Sequence, residues 1–500
     1  MSDDFLPIPA RIHAHAVATP GAPALIQDGA TVSYGDLDRA MDNVAAALQR
    51  GDLAPTDSIA ICASTSIAYA TLFLGALRAG VAVAPLAPSS TAEALAGMVR
   101  DSGAKLFFLD AGVEAAMADV LAGLATPRVR LETLADWAGN GTPAPVAIEP
   151  AWAFNIIYSS GTTGAPKGIV QSHGMRQHHV ERANALGYGP GSVTLLSTPL
   201  YSNTTLVSFF PSLSHGGAVV LMAKFDAAAW LRLAQSHRAT HTMLVPVQYT
   251  RLLAHPDFDA TDLSAMQVKF CTSAPFSAAA KREVLDRMPG GLVEYFGMTE
   301  GGGTCVLVAH EWPDKLHTVG RPAPGHDIRL IDEEGREVPT GEIGEIVGSS
   351  GATMSGYHNR PDATSAAIWV SPEGKRFVRT GDVGRFDEDG FLTLMDRKKD
   401  MIISGGFNIY PSDIEAVLRE CPDVADAAVV GVPSANWGET PIAFVVSRGA
   451  DADTIRQWAN ARLGKTQRLA AVELVEDLPR SHIGKVLKRE LRDGWHGTVD

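Results

Sequence analysis

The densest group of chemistry-bearing residues runs Tyr158-Ser159-Ser160-Gly161-Thr162-Thr163-Gly164-Ala165-Pro166-Lys167-Gly168. It follows an apolar run, Ala153-Phe154-Asn155-Ile156-Ile157, which reads as a strand. Hydroxyls, glycines and one lysine suit a phosphate cradle. Glycine lets backbone N–H groups approach, hydroxyls donate hydrogen bonds, and lysine adds charge. The order is not that of a Walker A loop, where Gly-Lys-Ser/Thr follows a four-residue spacer. Here Pro166 precedes Lys167. A flexible surface loop of the same composition is the plain alternative, and the Pro-Lys-Gly ending weighs against it. Two other groups look reactive and read otherwise. His173, His178 and His179 have spacing compatible with a metal cluster, but a partly exposed helix face explains them better. Cys271 and Cys305 need be no more than small buried residues.

These residues must be held by a scaffold, and the pattern around them gives its class. Ser58-Ile59-Ala60-Ile61-Cys62, Val81-Ala82-Val83-Ala84-Pro85 and Lys105-Leu106-Phe107-Phe108-Leu109 read as buried strands. Between them lie a helix over 67–78 and another announced by Ser90 with Glu93, a capping-box signal. The rhythm returns over 193–296, with a strand at Val219-Val220-Leu221-Met222 and a helix over 227–235. Alternating strands and helices mean a mostly parallel sheet covered by helices. Near Pro324 hairpin signals take over: Asp332-Glu333-Glu334-Gly335, Pro339-Thr340-Gly341 and Asp387-Glu388-Asp389-Gly390. They imply a small β-rich subdomain. The charged run Asp396-Arg397-Lys398-Lys399-Asp400 marks a boundary. Beyond it Ser412 with Glu415 caps a helix, and 427–430 reads as a strand. The expectation is an α/β protein with a large N-terminal domain, 1–396, and a small α+β C-terminal domain, 397–500.

The loop at 158–168 resembles the first signature of the adenylate-forming superfamily, which includes acyl-CoA synthetases, peptide-synthetase adenylation domains and luciferases. Four further stretches agree in order: Tyr295-Phe296-Gly297-Met298-Thr299-Glu300, Arg379-Thr380-Gly381-Asp382, the hinge-like Asp396 followed by Ile402-Ile403-Ser404-Gly405-Gly406, and Leu478-Pro479-Arg480-Ser481 with Gly484-Lys485. Within that superfamily the chain looks like an acyl-CoA synthetase or aryl-CoA ligase of the 4-coumarate or benzoate kind. The resemblance implies the adenylating-enzyme fold with a mobile C-terminal domain, and an AMP-forming carboxylate–CoA ligase that uses ATP, magnesium and coenzyme A. It implies that Ser159, Ser160, Gly161, Thr162, Thr163, Gly164 and Lys167 hold the β- and γ-phosphates. Ala274, Glu294, Tyr295, Phe296 and Gly297 would meet the adenine side, with Phe296 where the family commonly has Tyr. Thr299 would hold the α-phosphate and Glu300 the magnesium, which asks for a hard oxygen ligand. Asp382 would accept both ribose hydroxyls, and Arg397 would reach ribose or phosphate. Lys485 would be the catalytic lysine, Lys399 the pivot of a domain swivel, and Gly405 and Gly406 the neighbours of the CoA arm.

The acyl pocket implied by the resemblance is lined over 201–207, 245–248, 273–275 and 301–304. Tyr201, Ser202, Asn203, Val247, Ser273, Gly297, Gly302 and Gly303 are its expected contacts. No aspartate lies between 193 and 220, which disfavours an amino acid, and no Arg or Lys lies there to hold a dicarboxylate. Three consecutive glycines, Gly301 to Gly303, would leave room for a bulky group, so the lean is to an aromatic acid, with medium-chain fatty acids close behind. Loading of a separate carrier protein is the alternative to coenzyme A. The chain runs 15 residues past Lys485, so no fused carrier domain is expected.

Composition sets the outer limits. Across 500 residues, 46% are hydrophobic and 20% charged, as in an ordinary globular protein rather than a disordered or fibrous one. Lys plus Arg total 42 against 56 Asp plus Glu, a net charge of −14. That disfavours nucleic acid and anionic membranes as partners. The most apolar stretch, 67–77, is shorter than the roughly 20 residues a bilayer needs. The first residues lack a signal-peptide pattern. The four cysteines form no C-x-x-C pair, which fits a reducing cytoplasm. A monomer or homodimer is expected.

Overall fold

The computed structural model describes residues 5–159, 166–397, 400–404, 407–434, 436–464, 467–480 and 486–499. The chain divides into two compact units. The first comprises Met1–Leu316, Pro322–Asp327 and Gly348–Val378; the second comprises His317–Arg321, Ile328–Val347 and Arg379–Asp500.

In the first unit, strand β1 (Ser58–Cys62) is buried along its whole length, as a strand with both faces covered must be. Helix α1 (Ile67–Arg78) follows, capped by Ser66, whose side chain accepts from the Tyr69 N–H. It is apolar on nearly every side because it is a core helix, and no helix among the described residues is long and apolar enough to cross a membrane. Gly75 lets it pass close to the helix Tyr34–Arg50: a Cβ there would lie 2.6 Å from Val44. Strand β2 (Ala82–Leu86) pairs parallel with β1, as does the strand Leu106–Leu109 on the other side. The helix between them, Ala92–Asp101, is capped by Thr91 accepting from the Ala94 N–H. The cap expected at Ser90 is therefore one residue too early, since Thr91 offers the same hydroxyl closer to the first free N–H groups.

Strand β3 (Ala153–Ser159) and strand β4 (Lys167–Ser172) form an antiparallel hairpin in the same sheet of seven strands, with Ser159 opposite Lys167. Helix α2 (His173–Arg182) begins directly after β4 under a Ser172 cap. Helix α3 (Asn203–Ser214) lies almost wholly within the core. A second sheet of nine strands carries three parallel neighbours: β5 (His241–Leu244), β6 (Val268–Cys271) and β7 (Gly291–Phe296). The expected helix over 227–235 is found at Ala227–Ser236.

In the second unit, the turn at 387–390 joins two antiparallel strands, Arg376–Phe386 and Leu392–Arg397, as the Asp-Glu-Asp-Gly signal predicted. Strands Val424–Ser434 and Gly438–Ser447 pair antiparallel over their full length. The helix Pro411–Arg419 corrects one expectation. Tyr410 precedes it without a side-chain cap, Pro411 takes the first position, and Ser412 instead donates to the Met395 carbonyl. Glu415 is no capping-box partner either; it accepts from the Val429 N–H at 2.9 Å and pairs with Lys488 at 2.8 Å.

Candidate active site

The β3–β4 hairpin fixes both ends of the expected phosphate loop. Of the residues assigned to it, Ser160, Gly161, Thr162, Thr163 and Gly164 lie outside the described residues. Lys167 is described: its ammonium sits 5.2 Å from the ring centre of Tyr357. The Tyr357 hydroxyl donates to Glu300 Oε1 at 2.9 Å, and burial pushes the phenol above its ordinary range, with the Glu300 carboxylate adding to the effect. The hairpin lysine and the expected magnesium ligand are thus joined through one tyrosine. The second oxygen of Glu300 keeps its acceptor capacity. No group of three or more His, Cys, Asp or Glu suited to a metal occurs among the described residues. If Glu300 holds magnesium as expected, substrate phosphates would supply the remaining contacts, a mode that suits magnesium well.

Thr299 and Glu300 sit in the turn after β7. The Thr299 carbonyl accepts from Gln171 Nε2 at 2.6 Å, and the Glu300 carbonyl accepts from the Met354 N–H at 2.8 Å. Gln171 comes from the end of β4, and its amide also reaches Asn203 Oδ1 at 3.5 Å. Its other end is set by Arg176, which donates to Gln171 Oε1. Arg176 is 1% exposed and also donates to Asn155 Oδ1 at 3.0 and 3.1 Å. Its guanidinium lies 5.6 Å and 5.7 Å from the Phe154 and Phe210 ring centres. Burial lowers it to about 9. An arginine can only donate, so it forces the Gln171 oxygen inward and the amide outward, toward Thr299. Gln171 and Arg176 carry no motif signal, and sequence reasoning missed both.

Side chains alternate along β7. Glu294, expected beside the adenine, is 4% exposed and ion-paired with Lys281. Burial raises its carboxyl to about 7 against the opposing pull of Lys281. Its side chain is committed there, which leaves only its backbone for a nucleotide. Tyr295 points to the opposite face, where its ring stacks on Phe270 at 5.9 Å and lies 5.0 Å from the Arg182 guanidinium. Phe296 is half-buried and Gly297 exposed. Ala274 follows Ser273, which holds φ = +81° and bonds Thr204 through its hydroxyl at 2.5 Å. A non-glycine residue held there is a strained position of the kind that gathers at functional sites.

The acyl-pocket expectation needs two corrections. Gly301 and Gly302 do not open space. A Cβ on Gly301 would lie 1.9 Å from the Ala352 carbonyl oxygen, and one on Gly302 would lie 2.7 Å from that of Gly348. Both have positive φ, +72° and +84°. They are glycines so that the turn can press against the segment 348–353, with Gly303 against Gly348. Second, a cation does reach the region. The cavity beneath the ends of β5, β6 and β7 is lined by Val207, Met243, Phe270 and Tyr295, and by His179 and Arg182 from α2. The stretch 193–220 lacks Arg and Lys, but α2 supplies one from elsewhere in the chain. Of the other expected contacts, Ser202 is buried and Tyr201, Asn203 and Val247 are half-buried. Burial raises the Tyr201 phenol to about 12.

The histidines also differ from expectation. His173 is 3% and His179 9% exposed, so two of the three are core residues rather than a partly exposed face. His173 packs edge-on against Phe154 at 5.0 Å, and burial lowers it to about 4. Cys271 and Cys305 are buried free thiols. In the second unit, Asp382 stands opposite Arg397 in the strand register, and its N–H is held by Thr380 Oγ1 at 3.0 Å. Lys399, Gly405, Gly406 and Lys485 lie outside the described residues, and of Ser159 and Arg397 only the backbone is described.

Comparison with known proteins follows this geometry. The sequence model of the AMP-binding enzyme family matches residues 12–358, and that of the AMP-binding enzyme C-terminal domain matches 413–485. The chain is 32% identical over 499 residues to the fatty acid–[acyl-carrier-protein] ligase ScoC of Streptomyces coeruleorubidus, covering 97% of this chain and 95% of that protein. It is 33% identical over 484 residues to a feruloyl-CoA synthase of Amycolatopsis sp, covering 95% and 96%. Among solved structures, ATP-bound MatB from Rhodopseudomonas palustris aligns with a TM-score of 0.89 at 30% identity, covering 97% of this chain and 98% of that one.

Proposed function

The chain belongs to the AMP-binding enzyme family, and on that premise we propose how its residues activate an acid. It is an AMP-forming carboxylate–CoA ligase that uses ATP, magnesium and coenzyme A. A carboxylate oxygen of the acid attacks the α-phosphorus of ATP, and the bond to the bridging oxygen of pyrophosphate breaks. The CoA sulfur then attacks the acyl carbon, its proton leaves, and AMP departs. Such transfers depend on positioning and on neutralising developing negative charge.

The observation that carries our assignment of roles is the linked set Lys167–Tyr357–Glu300–Thr299–Gln171. It supports Lys167 and the 159–164 loop as the holders of the leaving pyrophosphate. It supports Thr299 at the α-phosphate and Glu300 on magnesium, whose bound charge would offset that of the phosphates. Phe296 stacks on adenine, and Asp382 with Arg397 takes the ribose. Lys485 neutralises the oxygens between acid and phosphate in adenylation. The division at 396/397, the pivot at Lys399 and the CoA contacts at Gly405 and Gly406 belong to the same proposal. The acid is aromatic in our reading, which the stacked Phe270 and Tyr295 rings beside the cavity favour. The resemblance to ScoC favours a carrier protein as the second acceptor to test. Four buried free cysteines favour a cytoplasmic enzyme in this reading, and we take it to be a monomer or homodimer.

The test is an incubation with ATP, magnesium and a panel of aryl and aliphatic acids, with and without coenzyme A, read by mass spectrometry. Acyl-CoA formed only with CoA is the expected result; adenylate without thioester would move the acceptor to a carrier protein. Lys485→Ala should abolish adenylation yet largely spare thioester formation from supplied acyl-adenylate. Equal loss of both half-reactions would refute the swivel.

A further inference from the structure

The segment 481–485 carries the expected catalytic lysine and lies outside the described residues, but the chain on either side of it is described and firmly held. Arg480 and Val486 form an antiparallel bridge, and the Leu487 N–H donates to the Pro479 carbonyl at 2.8 Å. Leu478 before the segment and Leu491 after it are buried in one apolar cluster with Val430 and Phe444. The chain therefore enters and leaves the segment at one place.

Two carboxylates fix that place. Asp426, in the strand Val424–Ser434, accepts from Arg480 on the entering side. Glu415, in the helix Pro411–Arg419, pairs with Lys488 at 2.8 Å on the leaving side. The first pair is the more open to water, and such pairs contribute little. The second is nearly closed, with side chains 11% and 15% exposed, so losing one partner matters more. Val424–Ser434 is an edge strand, which leaves one row of its N–H groups outside the ladder. Glu415 Oε1 accepts from one of these, the Val429 N–H, at 2.9 Å, and Oε2 lies 3.4 Å from Arg419. A neutral glutamine would serve the Val429 N–H equally well. The charge is needed for Lys488. That lysine opens the short helix Lys488–Asp493, where a cation opposes the helix dipole, so the helix gains nothing from it there. Its ammonium serves Glu415 instead. One carboxylate thus ties a helix, a sheet edge and the chain three residues beyond Lys485 to a single point.

Resting on the assignment of Lys485 above, we propose that Glu415 is a positioning residue for adenylation, acting through Lys488 to set where the backbone of Lys485 stands. A lysine is a point charge on a flexible stem, so its aim depends on where its Cα is held. Displacement by about 1 Å can cost about 100-fold in rate. Glu415 touches none of the reacting atoms, and its loss is felt in the half-reaction that Lys485 serves.

The test scores the two half-reactions apart in the full chain. Adenylation is followed by ATP–pyrophosphate exchange with benzoate and with hexanoate. Thioester formation is followed from benzoyl- and hexanoyl-adenylate with CoA. Glu415→Gln keeps an acceptor for the Val429 N–H and drops the ion pair. It should lose about 10- to 100-fold in the kcat of adenylation, with KM for ATP and the rate of thioester formation within about twofold of wild type. Lys488→Met should match it, and Lys488→Arg, which keeps the charge, should recover most of the loss. An equal fall in both half-reactions, or no fall in either, overturns the proposal. Thermal melts establish that each variant is folded; if Glu415→Gln is not, Lys488→Met carries the comparison. Amide hydrogen exchange needs no substrate. Peptides covering 478–491 should exchange about tenfold faster or more in Glu415→Gln, while those covering 424–447 do not. Unchanged exchange at 478–491 overturns the proposal even where activity falls. Lys485→Ala separates this proposal from the reading it rests on. If that variant adenylates normally while exchange at 478–491 rises in Glu415→Gln, the hold on the segment stands and the role of Lys485 falls. If it cannot adenylate while Glu415→Gln is fully active, Lys485 stands and the positioning role falls.

Discussion

Gln171→Glu is a single-atom test of how the reaction turn is held. The wild-type amide donates to the Thr299 carbonyl at 2.6 Å and accepts from Arg176. A carboxylate keeps the second contact and turns it into an ion pair with a buried arginine. It loses the first, because it puts an acceptor where Thr299 needs a donor. Thr299 is half-buried, and its carbonyl left without a donor would cost up to about 1–3 kcal/mol. If that cost falls on the turn when the α-phosphate must be held, it converts to about a 5- to 150-fold loss in rate. The new ion pair offsets the loss in the folded state, so stability should change little or rise. The assay is ATP–pyrophosphate exchange, giving kcat/KM for ATP, beside a thermal melt of the same sample. Activity within about twofold of wild type at unchanged melting temperature would refute the reasoning, since Thr299 would not then depend on Gln171. A parallel fall in both would show a fold effect alone.

Two further perturbations follow. Gly301→Ala forces a Cβ to 1.9 Å from the Ala352 oxygen at φ = +72°. The combined strain and overpacking should cost about 2–5 kcal/mol in urea unfolding. Gly97→Ala, with nothing within 4 Å of its Cβ, should gain about 0.5–1 kcal/mol as the control. Acid should destabilise the protein through histidines buried neutral. Burial lowers His173 to about 4 from an ordinary 6.5, and lowers His179 as well. The unfolded chain then binds protons first, so stability is whole above pH 6.5 and lost as pH falls toward 4. For His173 the loss is about 3 kcal/mol, at 1.36 kcal/mol per unit. A melting temperature that stays flat to pH 5, or an unchanged acid slope in His173→Phe, would count against this.

Much of the scaffold was legible because its signals are local. The run Ser58 to Cys62 and the helix over 67–78 were found at their stated bounds, since burial on every side leaves a continuous apolar stretch. The hairpin at 387–390 was announced by its own turn residues. The errors also have local causes. Ser90 and Ser412 carry the right hydroxyl, but a neighbour, Thr91 or Pro411, is better placed to start the helix. The site was legible only where the family motif is contiguous. Gln171 and Arg176 act across the fold, brought beside β7 by the turn from β4 into α2, and no spacing in the chain announces that. The glycines at 301–303 misled because a missing side chain signals either open space or close backbone approach, and only three-dimensional neighbours tell which.

The pairing of Lys281 with Glu294 also bears on how this chain can change over generations. Both side chains are all but sealed from water, at 2% and 5% exposure. Loss of Glu294 strands the Lys281 ammonium and loss of Lys281 leaves a buried carboxyl without its partner, at up to about 3–5 kcal/mol, whereas replacing both with apolar residues of similar volume is often neutral or better. The two positions, 13 residues apart in sequence, are therefore inherited as one character. A lineage can leave that state only by a double step, or by first accumulating surplus stability elsewhere. Among distant relatives, positions 281 and 294 should switch together, and libraries that vary one of them alone should return almost nothing but the starting residue.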